Sequence, residues 1–276
     1  SKGERIMVNK IIKRGYIFLI LAFLYAPIFL LIVYSFNLSK EIGTWSTEWG
    51  FEHYKLLFTD ETILSAVSNT LILAFVAATL ATILGTIGAI GSFYSKKSTQ
   101  KLLGGATQIP VISAEIVTGL SLAMIFVFFG FNGTWASLIV AHIVICFPFV
   151  YLNVLPKLKQ LNPNLYEAGL DLGATPTKAL FTIIIPEILP GIFSGFLLAV
   201  TMSLDDYIVT TFTKPDTLDT ISTYTYNAYA KGGANTSVPA LRALSTIIFI
   251  VVVTVIVLIN IRASKQAKKY AAQKKG

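Results

Sequence analysis

Three carboxylates stand inside apolar runs of a chain that has only 14 acidic residues. Glu115 lies in "PVISAEIVTG", and Asp205 and Asp206 lie in "VTMSLDDYIVTTF". A charge at the centre of a bilayer costs roughly 2.5–3.5 kcal/mol on insertion scales, so such a residue faces a partner or a cavity. Carboxylates at two depths can replace part of the water shell of a small cation, and a dication would meet two of them. Tyr207, Tyr224, Tyr226 and Tyr229 offer ring faces to ammonium groups. Other chemistries are absent. The sequence has no G-x-x-x-x-G-K-[ST] phosphate loop, no H-E-x-x-H and no G-x-S-x-G. A single cysteine, Cys146, leaves neither an internal disulfide nor a cysteine metal cluster. His142, also in an apolar run, is read as an interhelical hydrogen-bonding residue, with proton relay as the alternative.

The elements that must position these residues are membrane spans. The chain is 54% hydrophobic and 13% charged, where soluble domains carry roughly 25% charged residues. Six apolar segments, at about 16–36, 66–94, 102–129, 135–155, 184–211 and 241–261, are long enough to span a bilayer, which needs ~20 residues. The first is too long for a signal-peptide core and has no A-x-A-like site after it, so a retained helix is expected. The formal charge of +8 sits at the ends of these segments, which argues against a nucleic-acid partner. Seventeen of the 22 Lys and Arg residues fall in the N-terminal segment, the second and fourth loops and the tail. Both termini and the fourth loop are therefore expected in the cytoplasm. The first loop, with Glu41, Glu48, Glu52, Asp60 and Glu61, is expected outside. In a continuous fifth helix Asp205 lies near the outer mouth and Asp206 points about 100° away from it. Glu115 falls near the middle of the third span. The expected fold class is all-α: one membrane domain over 1–262 and a basic cytoplasmic tail over 263–276, a solvated or lipid-facing end.

The fourth loop, 156–186, is dense in helix signals: "LNPNLYEAGLDLGATPTKALFTIIIPEILP". Asn162 and Pro163 are suited to cap and begin a helix, and Gly173 to the left-handed position that ends it. Thr175 and Pro176 repeat the start signal. Two short helices joined at a glycine are predicted, with Pro186 and Pro190 kinking or unwinding the start of the fifth span.

"EAGLDLG", nine residues, then "IIIP" resembles the E-A-A-x-x-x-G-x(9)-I-x-L-P signature of ABC importer permeases. Gly169 stands where the second Ala is usual, and Ile185 where Leu is usual. "FLYAPIFLLIVYSFN", "ISAEIVTGLSLAMIF", "HIVICFPFVYLNVLPKL" and "MSLDDYIVTTF" resemble the second permease subunit of spermidine/putrescine importers, from Tyr16 to Ile261. The resemblance implies a type I importer permease fold of six transmembrane helices in the cell (plasma or inner) membrane. It implies a heterodimer with a second permease, a cytoplasmic ABC ATPase dimer and an extracytoplasmic polyamine-binding protein. Catalysis and cofactors are then absent from this chain. Glu167, Ala168, Gly173, Ile183 and Pro186 would form the ATPase coupling element. Glu115, Asp205, Asp206 and Tyr207 would line the path of a polyamine. The rivals are an importer of iron, sulfate or amino acids, and a cation channel or secondary transporter using Glu115 and Asp205 as ligands.

Overall fold

The structure, a computed structural model, describes residues 2–39, 43–162, 164–230 and 238–273. Its regular elements are all helical; the described residues contain no strand, only an isolated antiparallel bridge between Asn37 and Trp49. Lys40, Glu41, Pro163 and Lys231 lie outside the described residues, so the helix start expected at Pro163 has no description. The chain divides into two compact units, residues 1–64 with 225–276, and residues 65–224.

In the first unit, α1 (Lys2–Phe36) carries the apolar stretch Gly15–Phe36 and packs on α12 (Val238–Gln273). The short α2 (Glu52–Thr59) packs on α12 as well. Asn37 closes the turn after α1. Its Nδ2 donates to Ser46 O at 2.8 Å, and its Oδ1 accepts from Ser46 N at 3.0 Å and Ser39 N at 3.3 Å. Buried Arg242 of α12 donates from Nη1 to Ser39 O at 3.0 Å, with its guanidinium 5.3 Å from the Tyr34 ring centre.

The second unit is built around α6 (Trp135–Gln160), packed against α9 (Ile185–Asp205). Lipid tails are as apolar as leucine, so helices in a membrane associate through close packing of small residues. Buried Gly191, Gly195 and Ala199 recur every four residues on α9. A Cβ at Gly195 would lie 3.0 Å from Val150 Cα, backbone against backbone. From α3 (Glu61–Phe93), Gly85 meets the same Val150, where a Cβ would lie 2.8 Å from Val150 Cβ. Cys146, Val150, Tyr151 and Val154 are buried between these surfaces.

Gly15–Phe36, Glu61–Phe93, Trp135–Gln160 and Pro176–Asp205 are each long and apolar enough to cross a membrane. The third expected span is not one helix. It is α4 (Lys97–Ile112) and α5 (Glu115–Phe128), bent by 106°. Pro110 cannot donate to the carbonyl four residues back, and Ser113 and Ala114 are extended, with ψ of 145° and 134°. The sixth expected span corresponds to the shorter apolar stretch Val238–Thr254 within α12.

The fifth span also differs from expectation. The helix stops at Asp205, Asp206 is extended (φ −65°, ψ 126°), and the short α10 (Ile208–Thr213) follows. Asp205 and Asp206 therefore straddle a helix end, and the 100° separation of a continuous helix does not apply. Beyond α10, α11 spans Ile221–Ala230.

In the fourth loop, α7 (Asn164–Asp171) and α8 (Pro176–Ala179) flank Gly173 as expected. The second helix is not free-standing, however. It runs through a π-helical turn, Leu180–Ile184, into α9. The wider turn lies one residue before Pro186, whose missing N–H removes one α-helical bond, so the entry to the fifth span is locally unwound, as the prolines lead one to expect.

Candidate functional site

The breaks in the third and fifth spans meet at one place. A cavity of about 380 Å³ is lined by Glu115, Asp205, Asp206 and Tyr207, together with Ser113, Thr118, Phe149 and Met202. All four residues expected on the path thus share it. Of the other tyrosines, Tyr224 and Tyr226 lie on α11 outside its lining, and Tyr229 lines a different cavity beside Tyr34 and Arg242.

Glu115 is the first residue of α5, where the unpaired N–H groups of a helix start favour a negative charge. Asp205 ends α9. Both residues are exposed, and neither carboxylate makes a hydrogen bond or ion pair with a described residue. Two unengaged carboxylates in one cavity are an arrangement that a cation completes.

Asp206 is engaged differently. Its Oδ1 accepts from Val209 N at 3.3 Å, and its Oδ2 accepts from Thr210 N and from Thr210 Oγ1, both at 2.7 Å. It caps α10, satisfying donors that the break would orphan. Its carbonyl accepts from Ser222 Oγ at 2.7 Å. Behind it lies fully buried His142, with Nδ1 2.8 Å from Ser203 Oγ and Nε2 3.0 Å from Thr210 Oγ1. A neutral ring with its proton on Nε2 satisfies the chain: Ser203 donates to Nδ1, Nε2–H donates to Thr210, and Thr210 donates to Asp206. His142 therefore joins α6, α9 and α10 through hydrogen bonds, the packing role read from sequence.

In the fourth loop, Gly173 has φ +85°. Its N–H donates to Leu170 O at 2.9 Å, and Ala174 N–H donates to Gly169 O at 3.1 Å. This pair of bonds is a Schellman C-cap, which requires the left-handed residue. Thr175 Oγ1 accepts from Lys178 N at 3.4 Å to begin α8. Glu167 and Ala168 are exposed on α7, Pro186 is exposed at the start of α9, and Ile183 is half-buried. Ile183 Cδ1 packs directly on Gly169, where a Cβ would collide with it.

A family described as "Binding-protein-dependent transport system inner membrane component" matches residues 81–269. The chain belongs to this family. The permease is 35% identical over 237 residues to the "Putrescine transport system permease protein PotI" of Escherichia coli (strain K12), covering 82% of this chain and 81% of that protein. It is 29% identical over 265 residues to the "Spermidine/putrescine transport system permease protein PotC" of the same organism, covering 95% of this chain and 97% of that protein. Its fold is similar to that of a solved bacterial ABC transporter involved in import of the acidic polysaccharide alginate. The TM-score is 0.72 at 21% identity, over 95% of this chain and 96% of that one. The permease is an all-α, multi-pass inner-membrane component of the type I importer class, a transport subunit.

Sequence reasoning missed part of this permease's site. Phe149 and Met202 line the cavity, yet they read as ordinary span residues. Leu172, 90% exposed at the tip of the α7–α8 turn, was also passed over. An apolar residue immediately before a C-cap glycine in a polar loop is the signal that marks it.

Proposed function

We propose that this permease passes small organic dications of the polyamine class, putrescine or spermidine, delivered by a binding protein outside the cell. The observation that carries the cargo is the pair of unengaged carboxylates, Glu115 and Asp205, in one cavity. The names of the two similar permeases support the same class. An amine entering the cavity loses water and gains a charge-assisted partner at each carboxylate, where a neutral solute of equal size gains nothing comparable. Phe149, Met202 and Tyr207 supply apolar surface for the methylene spacer. Asp206 lines the same route but serves it by holding the break open, its carboxylate already committed to α10.

Energy enters at the other end of the permease. The capped turn of Glu167, Ala168 and Gly173, backed by Ile183 and Pro186, docks on a cytoplasmic ABC ATPase dimer, with exposed Leu172 as an apolar contact. The continuity of α8 with α9 makes the docked turn and the helix ending at Asp205 one mechanical piece. A second permease completes the route as a heterodimer. Both termini lie in the cytoplasm, a single permease domain extends over 1–262, and the tail over 263–276 is basic and cytoplasmic. Uptake of labelled putrescine and spermidine by the reconstituted complex tests this reading. Accumulation must require ATP and the binding protein, and must resist competition by iron, sulfate and amino acids. Gradient-driven uptake without ATP would instead support a secondary transporter.

A further inference from the structure

A second cavity, about 640 Å³, opens between α4 and α6, at the end of α6 that leads into the α7 loop. Its α4 wall is a helical stripe. Lys97, Gln100, Lys101, Gly104, Gly105 and Gln108 follow one another at steps of three and one, the spacing of a single helix face. The opposite wall, on α6, is apolar at Leu152, Leu155 and Pro156, and ends in Lys159.

Two features give this space one electrostatic sense, and two more shape it. Lys97, Lys101 and Lys159 are exposed and engage no acidic residue among those described, and the lining contains no carboxylate. α4 begins there without a side-chain cap, so its first N–H groups add the positive end of a helix. Gln100 Nε2 donates to Phe93 O and Ser95 O, both at 2.9 Å, which pins this mouth to the end of α3. At Gly104 and Gly105 an added Cβ would meet nothing within 4 Å, so the glycines leave room along the stripe.

We propose that this cavity holds the phosphate headgroup of an anionic membrane phospholipid, with an acyl chain laid against the α6 wall. A soluble anion would need the lysines and the helix start but not Leu152, Leu155 and Pro156. Lysines at the ends of membrane helices hold their stems along apolar surface and their ammonium groups at headgroup level. Basic pockets between transmembrane helices bind lipid phosphates in this way. The site is separate from the Glu115 cavity and does not depend on the cargo.

The test uses the full chain with its co-purifying subunits, in nanodiscs of equal parts phosphatidylglycerol and phosphatidylcholine. Native mass spectrometry then counts the lipids retained. The wild type should retain phosphatidylglycerol preferentially. The combined variant Lys97→Gln, Lys101→Gln, Lys159→Gln should lose that preference by roughly fivefold for each lysine neutralised. Gly105→Phe, which fills the cavity and keeps every charge, should lose it too, whereas Lys55→Gln on α2 should not. Inorganic phosphate at millimolar concentration should displace nothing. Preference surviving in either cavity variant, or lost equally in Lys55→Gln, reduces the effect to diffuse surface charge and overturns the site. Displacement by inorganic phosphate makes the ligand a soluble anion and overturns the lipid assignment.

Discussion

Asp206 Oδ2 accepts a hydrogen bond from Thr210 Oγ1 at 2.7 Å, while the side chain of Asp205, the adjacent residue, bonds to no described residue. Two neighbouring carboxylates in one cavity thus divide their work: one builds the break and the other is left to face what enters. Asp206→Ala removes the acceptor for Val209 N, Thr210 N and Thr210 Oγ1, and should lower stability by about 1–3 kcal/mol. Thr210→Val should act in the same direction, since it also strips His142 Nε2 of its acceptor. Asp205→Asn should leave the thermal unfolding midpoint of the purified complex unchanged. Equal midpoint losses in the Asp205 and Asp206 variants would contradict the division.

Close packing at Gly195 gives a second expectation. A side chain there meets Val150 Cα at 3.0 Å, and backbone cannot rotate away. Gly195→Leu should push α9 from α6 and destabilise by about 1–3 kcal/mol. Gly91→Leu, on α3 with open space around its Cβ position, is the comparison. The yield of monodisperse protein and its unfolding midpoint read the difference, and similar behaviour of both variants would count against the packing.

The α7–α8 turn should transmit ATP hydrolysis. Gly173→Val forces a β-branched residue to φ +85°, at a cost of roughly 1–2 kcal/mol, and disrupts both bonds of the C-cap. Glu167→Lys and Leu172→Asp change exposed groups and should leave the fold intact. All three should abolish ATP-driven uptake while membrane insertion persists. Substrate-stimulated ATPase activity at the wild-type level in Leu172→Asp together with Gly173→Val would contradict the coupling role.

Orientation is open to direct labelling. Cysteines placed at Lys159 and Glu48 should be reached by an impermeant thiol reagent from opposite sides, Glu48 alone in sealed cells. The native Cys146 is fully buried, with Sγ 3.3 Å from Ala199 O, and should contribute little background. Labelling of position 159 from outside sealed cells would reverse the topology.

Much of this arrangement is legible in the sequence because its signals are local. Apolar helical stretches, the threonine–proline start at Thr175 and the left-handed Gly173 each depend on residues close together in the chain. The two broken spans are not legible in this way. "ATQIPVISAEIVTG" reads as one apolar run, since hydropathy averages across Pro110 and Ser113, and a bend of 106° changes no residue's polarity. At Asp206 the cap signal exists, an aspartate before "YIVTT", but it competes with the long apolar run preceding it. What decides the competition lies far along the chain: His142 and Ser222 supply contacts that make the break satisfiable. The cavity follows from both breaks meeting, a tertiary fact that neither stretch records.

The central claim is that Glu115 and Asp205 pass the cation by charge pairing. Each neutralised carboxylate keeps its size but loses a charge-assisted contact worth on the order of one kcal/mol or more. The most direct measurement is labelled putrescine uptake per assembled complex in Glu115→Gln and Asp205→Asn, with assembly and thermal midpoint held as controls. The account predicts a fall of about fivefold or more in each variant, with assembly and midpoint at wild-type values. Uptake at the wild-type level in both variants would contradict it.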